Sequence, residues 1–155
     1  MEIVDLLRWL HVIGATVLLG TGAGIAFFML MAQRSGDARI IAHVAGTVVI
    51  ADTVFTASAV LFQPITGAFL AHEIGWPLFE GWVGLSLILY VVTGLFWLPV
   101  VVIQIRMRDL ARVAAATNAA LPPRYFALFR RWFLFGIPGF GSVMAILWLM
   151  ITKPV

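Results

Sequence analysis

Four long apolar runs, at about residues 6–31, 40–62, 81–105 and 132–152, constrain this chain more than any other feature. A helix rising 1.5 Å per residue crosses a hydrocarbon core of roughly 30 Å in roughly 20 residues. Each run is therefore long enough to span and far too long for a strand. The period-two alternation of a membrane barrel strand is missing. Hydrocarbon offers no partner to a free backbone amide, so each run must be helical. The fold class that follows is an all-α membrane protein: a four-transmembrane-helix bundle forming a single domain over residues 1–155, with no room for a separate soluble domain.

Composition closes the other routes. The chain is 63% hydrophobic and 11% charged, against about 45–50% and about 25% in soluble domains. A soluble enzyme and a disordered tail are excluded, and a net charge of +3 cannot supply the broad basic face of a nucleic-acid binder. There are no cysteines, so disulfides, thiolate metal sites and thiol redox chemistry are excluded. Residues 1–8 carry Glu2 and Asp5 and show no cleavage site, so the first run does not read as a secretory signal.

Charge orients the bundle. Arg34 and Arg39 follow the first run, and Arg106, Arg108, Arg112, Arg124, Arg130 and Arg131 lie between the third and fourth, eight of the ten Lys and Arg. The positive-inside rule puts both basic loops in the cytoplasm. The expected topology is multi-pass with both termini on the far side, which in a bacterial inner membrane is the periplasm. The outer connection, residues 64–80, is too polar to span and too apolar to float free. With Phe69, Trp76 and Phe79 it is expected to lie as an interfacial segment over the bundle mouth. Residues 106–120 hold helix formers and no breaker, and are expected to extend helix three into the cytoplasm. Pro99 and Pro138 should kink their helices, and the Gly20/Gly24 pair suits close helix packing.

Few intramembrane side chains can do chemistry. His11 lies about five residues into the first run, roughly 7–8 Å below its edge. Gly14, one turn on, leaves space beside the imidazole for a flat macrocycle whose iron a ring nitrogen would ligate. The ordinary alternative is an interior histidine hydrogen-bonded to a neighbour. His43 is roughly 20 Å from His11 along the bundle axis, so the two cannot share one haem. It also points about 180° away from Asp52, toward lipid headgroups or a partner subunit. Asp52, near mid-membrane with Thr56 and Gln63 on its face, reads as a proton relay, a propionate contact or an interhelical hydrogen bond. His72 could serve as a second axial ligand or a lid residue, or simply be exposed. Met150 is a further candidate ligand whose ordinary role is packing.

Several stretches together resemble a family of small bacterial integral membrane proteins classed as a domain of unknown function. They are Leu10-His11-Val12-Ile13-Gly14, Gln63-Pro64-Ile65-Thr66-Gly67, Trp97-Leu98-Pro99-Val100 with Gln104-Ile105-Arg106-Met107-Arg108, and Leu149-Met150-Ile151-Thr152-Lys153-Pro154. The resemblance covers nearly the whole chain and implies a four-helix membrane fold without an established activity. More distantly, the Leu-His start of helix one and the Lys-Pro ending are similar to membrane haem-b protoporphyrinogen oxidases and to copper-resistance membrane domains. Those haem proteins have an essential histidine, which His11 matches, and an essential intramembrane lysine. The one lysine here, Lys153, lies at the C-terminal end, so haem binding carries over better than the oxidase activity.

The resulting expectation is an inner-membrane redox or electron-transfer protein. It would bind haem b near the outer leaflet and exchange electrons with quinone or a redox partner. His11, His72, Gly14 and Asp52 are the expected cofactor-binding residues, with His11 and His72 on the metal. The alternative is a non-enzymatic subunit or assembly factor of a larger membrane complex. The lipid bilayer is the one obligatory partner, with a homodimer or a larger membrane complex as the expected assembly; an isolated homodimer with its own ligand would weigh against the alternative. A transporter using Asp52 ranks last, because no inverted repeat is present.

Overall fold

The computed structural model describes residues 2–154. Among the described residues there are four membrane-spanning helices and no strand: α1 (Ile3–Ser35), α2 (Ala38–Ile74), α3 (Gly81–Ala116) and α4 (Pro123–Thr152). The all-α four-span architecture read from the sequence is what the chain adopts.

Short polar punctuation sets the turns. Gly36 ends α1 in the left-handed region (φ 67°), a conformation that glycine adopts without steric cost. Asp37 then caps α2, its carboxylate accepting the Arg39 N–H at 2.7 Å. The polar stretch at residues 33–39 thus shrinks to a two-residue turn. Asn118, also left-handed at φ 51°, turns the chain after α3 and accepts a hydrogen bond from the Arg39 guanidinium. That bond ties the α1–α2 and α3–α4 turns together at one end of the bundle, hereafter the basic end. Pro123 starts α4 at the one place where a missing N–H costs nothing.

α2 departs from the expected pattern in two places. Residues Asp52–Thr56 form a π-helical turn, in which the Ala57 N–H bonds the Asp52 carbonyl five residues back. Further on, the helix does not stop at Gln63-Pro64 but continues to Ile74. The stretch expected to cross the bundle mouth is therefore mostly helix, and only residues 75–80 connect α2 to α3. The physical reason is a replacement bond. Pro64 has no N–H to offer the Val60 carbonyl, and the Tyr90 hydroxyl of α3 donates to that carbonyl instead. α3 runs through Pro99 to Ala116, so the expected extension of helix three is present.

α2 lies between α1 and α3, α3 and α4 form the most extensive pair, and α1 touches α4 only lightly. The hydrophobic core sits toward the basic end. Met29 of α1, Ile41 of α2, Met107 of α3 and Tyr125 of α4 have no exposed surface. Within it the Trp132 indole N–H donates to Gln104 Oε1 at 3.0 Å, pairing two buried polar groups across α3 and α4. The outward faces carry Ile50, Leu61, Leu95 and Ile151, an exposed apolar belt that suits acyl chains. At the opposite end Lys153 stands over the Trp76 ring at 4.8 Å and Trp76 packs edge-on against Trp82. The lysine therefore clasps the end of α4 to the α2–α3 connection.

Met107 and Leu95 lie on the same helix, one fully enclosed and the other 66% exposed. Met107→Ala is expected to lower the unfolding free energy by about 2–5 kcal/mol through the cavity it leaves. Leu95→Ala should stay within about 0.5 kcal/mol of the parent. Unfolding curves in detergent micelles check this, and equal losses would contradict the placement of the core.

Candidate functional site

His11 sits two turns into α1 and meets the last third of α2. Residues 63, 66 and 67 are three and four apart, so Gln63, Thr66 and Gly67 share the face of α2 that lies against α1. The His11 Nδ1 is 2.9 Å from Thr66 Oγ1. Gly67 lets the ring approach: a methyl group there would stand 3.0 Å from His11 Cε1. The Thr66 hydroxyl also donates back along its own helix to the Phe62 carbonyl at 3.0 Å. With its proton on that bond, Thr66 Oγ1 accepts from Nδ1 when Nδ1 carries the ring proton; in the other tautomer Nδ1 is the acceptor and the proton sits on Nε2, so the tautomer decides which nitrogen bears the lone pair. Among the described residues no polar atom bonds Nε2.

Gln63 fixes the same contact from the side. With its amide turned to match its neighbours, the nitrogen donates to the His11 carbonyl at 2.9 Å and to His11 Nδ1 at 3.2 Å. The oxygen accepts the Ala15 N–H at 3.0 Å. The amide thus bridges a carbonyl and an N–H four residues apart on α1, the pair that helical bonding would join. Gly14 makes room for it, since a methyl group there would fall 2.6 Å from the end of the Gln63 amide. The space expected beside Gly14 for a macrocycle is filled by this amide. Gly14 therefore serves helix packing, not a cofactor face.

Asp52 occupies a second polar contact. It is 5% exposed, and the Trp97 indole N–H of α3 donates to its Oδ1 at 3.2 Å. Of the roles expected for it, the interhelical hydrogen bond is present. Eleven residues separate Asp52 from Gln63, about 16 Å along α2, so the structure does not bring it to His11. Nor does it bring His72 there. His72 is exposed and lies about 140° round α2 from Gly67 and about 7.5 Å further along. His43 is exposed on the other half of α2, and Met150 is half-buried on α4. No group of three or more His, Cys, Asp or Glu side chains among the described residues is arranged to hold a metal ion.

The residues that complete the site, Thr66, Gly67 and Tyr90, lie outside the intramembrane candidates singled out from the sequence. Thr66 and Gly67 were legible as the i+3 and i+4 partners of Gln63, provided the helix was carried through Pro64. Tyr90 had no local signal, because its partner carbonyl is 30 residues away.

A four-span membrane bundle with one histidine held at a helix–helix contact defines the class. Residues 5–154 match the family model described as "Predicted integral membrane protein (DUF2269)", and the chain belongs to that family. No curated protein and no solved structure matches it.

Gly14→Ala is expected to cost about 1–3 kcal/mol, the range for overfilling a packed contact. Gly20→Ala should be silent, since nothing lies within 4 Å of a methyl group there. Adding Gln63→Ala to Gly14→Ala should recover part of the loss, giving a coupling of about 0.5–3 kcal/mol in a double-mutant cycle. Strict additivity would show that the amide does not occupy that space.

Proposed function

We propose that this protein binds haem b through His11 and acts as a redox or electron-transfer protein of a bacterial inner membrane. The observation that carries the reading is the state of the imidazole. Its Nδ1 is anchored by Thr66, its ring rests on Gly67, and its Nε2 has no polar partner among the described residues. Metal-binding histidines are held in this way, with the second nitrogen fixed so that the first is aimed. The likeness of the Leu-His start of α1 to haem-b membrane proteins points the same way.

The residues present fit one axial ligand and not two. His72 and Asp52 both lie away from His11, and the flank of Gly14 belongs to Gln63. A haem held here would supply one-electron chemistry, with quinone or a redox protein as the exchange partner. Protein purified from haem-replete cells should show a Soret band that His11→Ala abolishes and His72→Ala leaves intact. Thr66→Val, which removes the Nδ1 anchor, should weaken haem retention by about 10–100-fold. A colourless preparation would overturn the reading. Stoichiometric co-purification of other membrane subunits with that colourless protein would favour the alternative, a non-enzymatic subunit or assembly factor.

The same proposal places both termini in the periplasm. Its support is the eight of ten cations gathered in the α1–α2 and α3–α4 connections and their flanks. Cysteines at Ser35 and Ala120 should resist an impermeant thiol reagent in intact cells, while one at Phe79, 86% exposed at the opposite end, should react. The reverse labelling pattern would invert the orientation.

A further inference from the structure

Two grooves open on the surface of α2 and share a wall. The first, of ≈ 410 Å³, lies between α2 and Arg112 of α3 and is lined by His43, Gly46 and Thr47. The second, of ≈ 470 Å³, runs between α1 and α2. It too is lined by His43 and Thr47, with Gly20 and Gly24 on its floor and Phe28 and Phe55 on its walls. A methyl group at Gly20 would meet nothing within 4 Å, and one at Gly24 would meet only the Phe28 ring at 4.0 Å. Among the described residues no other part of the chain fills this groove.

Arg112 is the unusual member. Its guanidinium reaches along α2 until Nη2 stands 3.3 Å from where a methyl group on Gly46 would be. Gly46 is six residues past Ile40 on α2, while Arg112 is exposed and lies seven residues past the apolar run of α3, so the charge sits at the basic end where span and extension meet. Among the described residues Arg112 has neither a hydrogen bond nor an ion pair. The carboxylates at this end are engaged elsewhere: Asp37 caps α2 and Asp109 pairs with Arg108. A cation at the end of the bundle with no protein carboxylate beside it suits an anionic headgroup.

We propose that these grooves form one binding site for an anionic phospholipid. The phosphate is held by the Arg112 guanidinium and the His43 imidazole, and one acyl chain lies over Gly20 and Gly24 toward Phe55. A guanidinium grips phosphate through two parallel N–H donors. Basic pockets between membrane helices take anionic headgroups for this reason. Length agrees: His43 to Phe55 covers about 18 Å of helix, enough to follow a chain through one leaflet of about 15 Å. The site does not involve His11 and stands independently of the haem reading.

Native mass spectrometry of the full chain released from detergent micelles tests it, with phosphatidylglycerol or phosphatidylcholine as the added lipid. The wild-type protein should retain one phosphatidylglycerol in preference to phosphatidylcholine. Arg112→Ala should weaken that retention by about fivefold or more, the loss expected for one basic residue facing an anionic headgroup. Arg112→Lys should keep most of it, and Arg124→Ala, a cation of the same end outside both grooves, should keep all of it. Gly24→Leu, which fills the floor, should reduce retention of long-chain phosphatidylglycerol while sparing a dihexanoyl form. Equal retention of the two lipids, unchanged retention in Arg112→Ala, or a lipid-free dimer closed over the α1–α2 groove would each overturn the proposal.

Discussion

Every backbone N–H and C=O in hydrocarbon must find its partner inside the protein, because no water is there to take its place. The four helices are the general answer, and the informative parts of this structure are the points where the helical answer fails locally. At Pro64 a donor is missing, and Tyr90 supplies one to the stranded Val60 carbonyl. At Asp52–Thr56 the register slips to a five-residue bond, and Asp52 is held across the helix interface by Trp97. Both places lie on α2, the helix with the largest buried share, and both join it to α3. At His11, where α1 is an unbroken helix, the Gln63 amide adds contacts to a carbonyl and an N–H of α1. The polar residues of this bundle are thus first of all the means by which an imperfect central helix survives in lipid.

That requirement separates polar groups with spare capacity from those without. Interhelical hydrogen bonds in membranes contribute on average only about 0.6 kcal/mol, and up to about 1.7 kcal/mol. Their role here is more to fix geometry than to hold the bundle together. Asp52, Gln63, Gln104 and Trp132 are paired with protein groups and have a structural role that accounts for them. His11 is different, since one ring nitrogen is anchored and the other is open. Arg112 is different again, as a cation with no carboxylate left to meet it. These two residues lie toward opposite ends of the bundle and address different ligands: one presents an imidazole nitrogen, the other a positive charge.

The bundle is also uneven along its axis. Toward the basic end Met29, Ile41, Met107 and Tyr125 close a core without exposed surface. Toward the other end the contacts are made by glycines, hydroxyls and amides, with the Lys153–Trp76–Trp82 cluster as a clasp. Apolar packing closes one end, while small and polar residues surround His11 toward the other.

Span number, helical class and the sidedness of charge were legible in the chain itself, because a 20-residue apolar run has one structural outcome in lipid and because charge counts need no coordinates. The candidate histidines and Asp52 were also legible, since polar residues are scarce among so many apolar ones. Their partners were not. Gln63-Pro64 reads locally as a stop, and only Tyr90, distant in sequence, makes the helix continue. Gly14 reads as open space, and only the approach of α2 shows that Gln63 fills it. Gly20 and Gly24 read as ordinary packing glycines, and only the tertiary arrangement leaves them facing an open groove. Local sequence determines what a segment of backbone needs in hydrocarbon, whereas which side chain meets that need depends on how four helices are brought together.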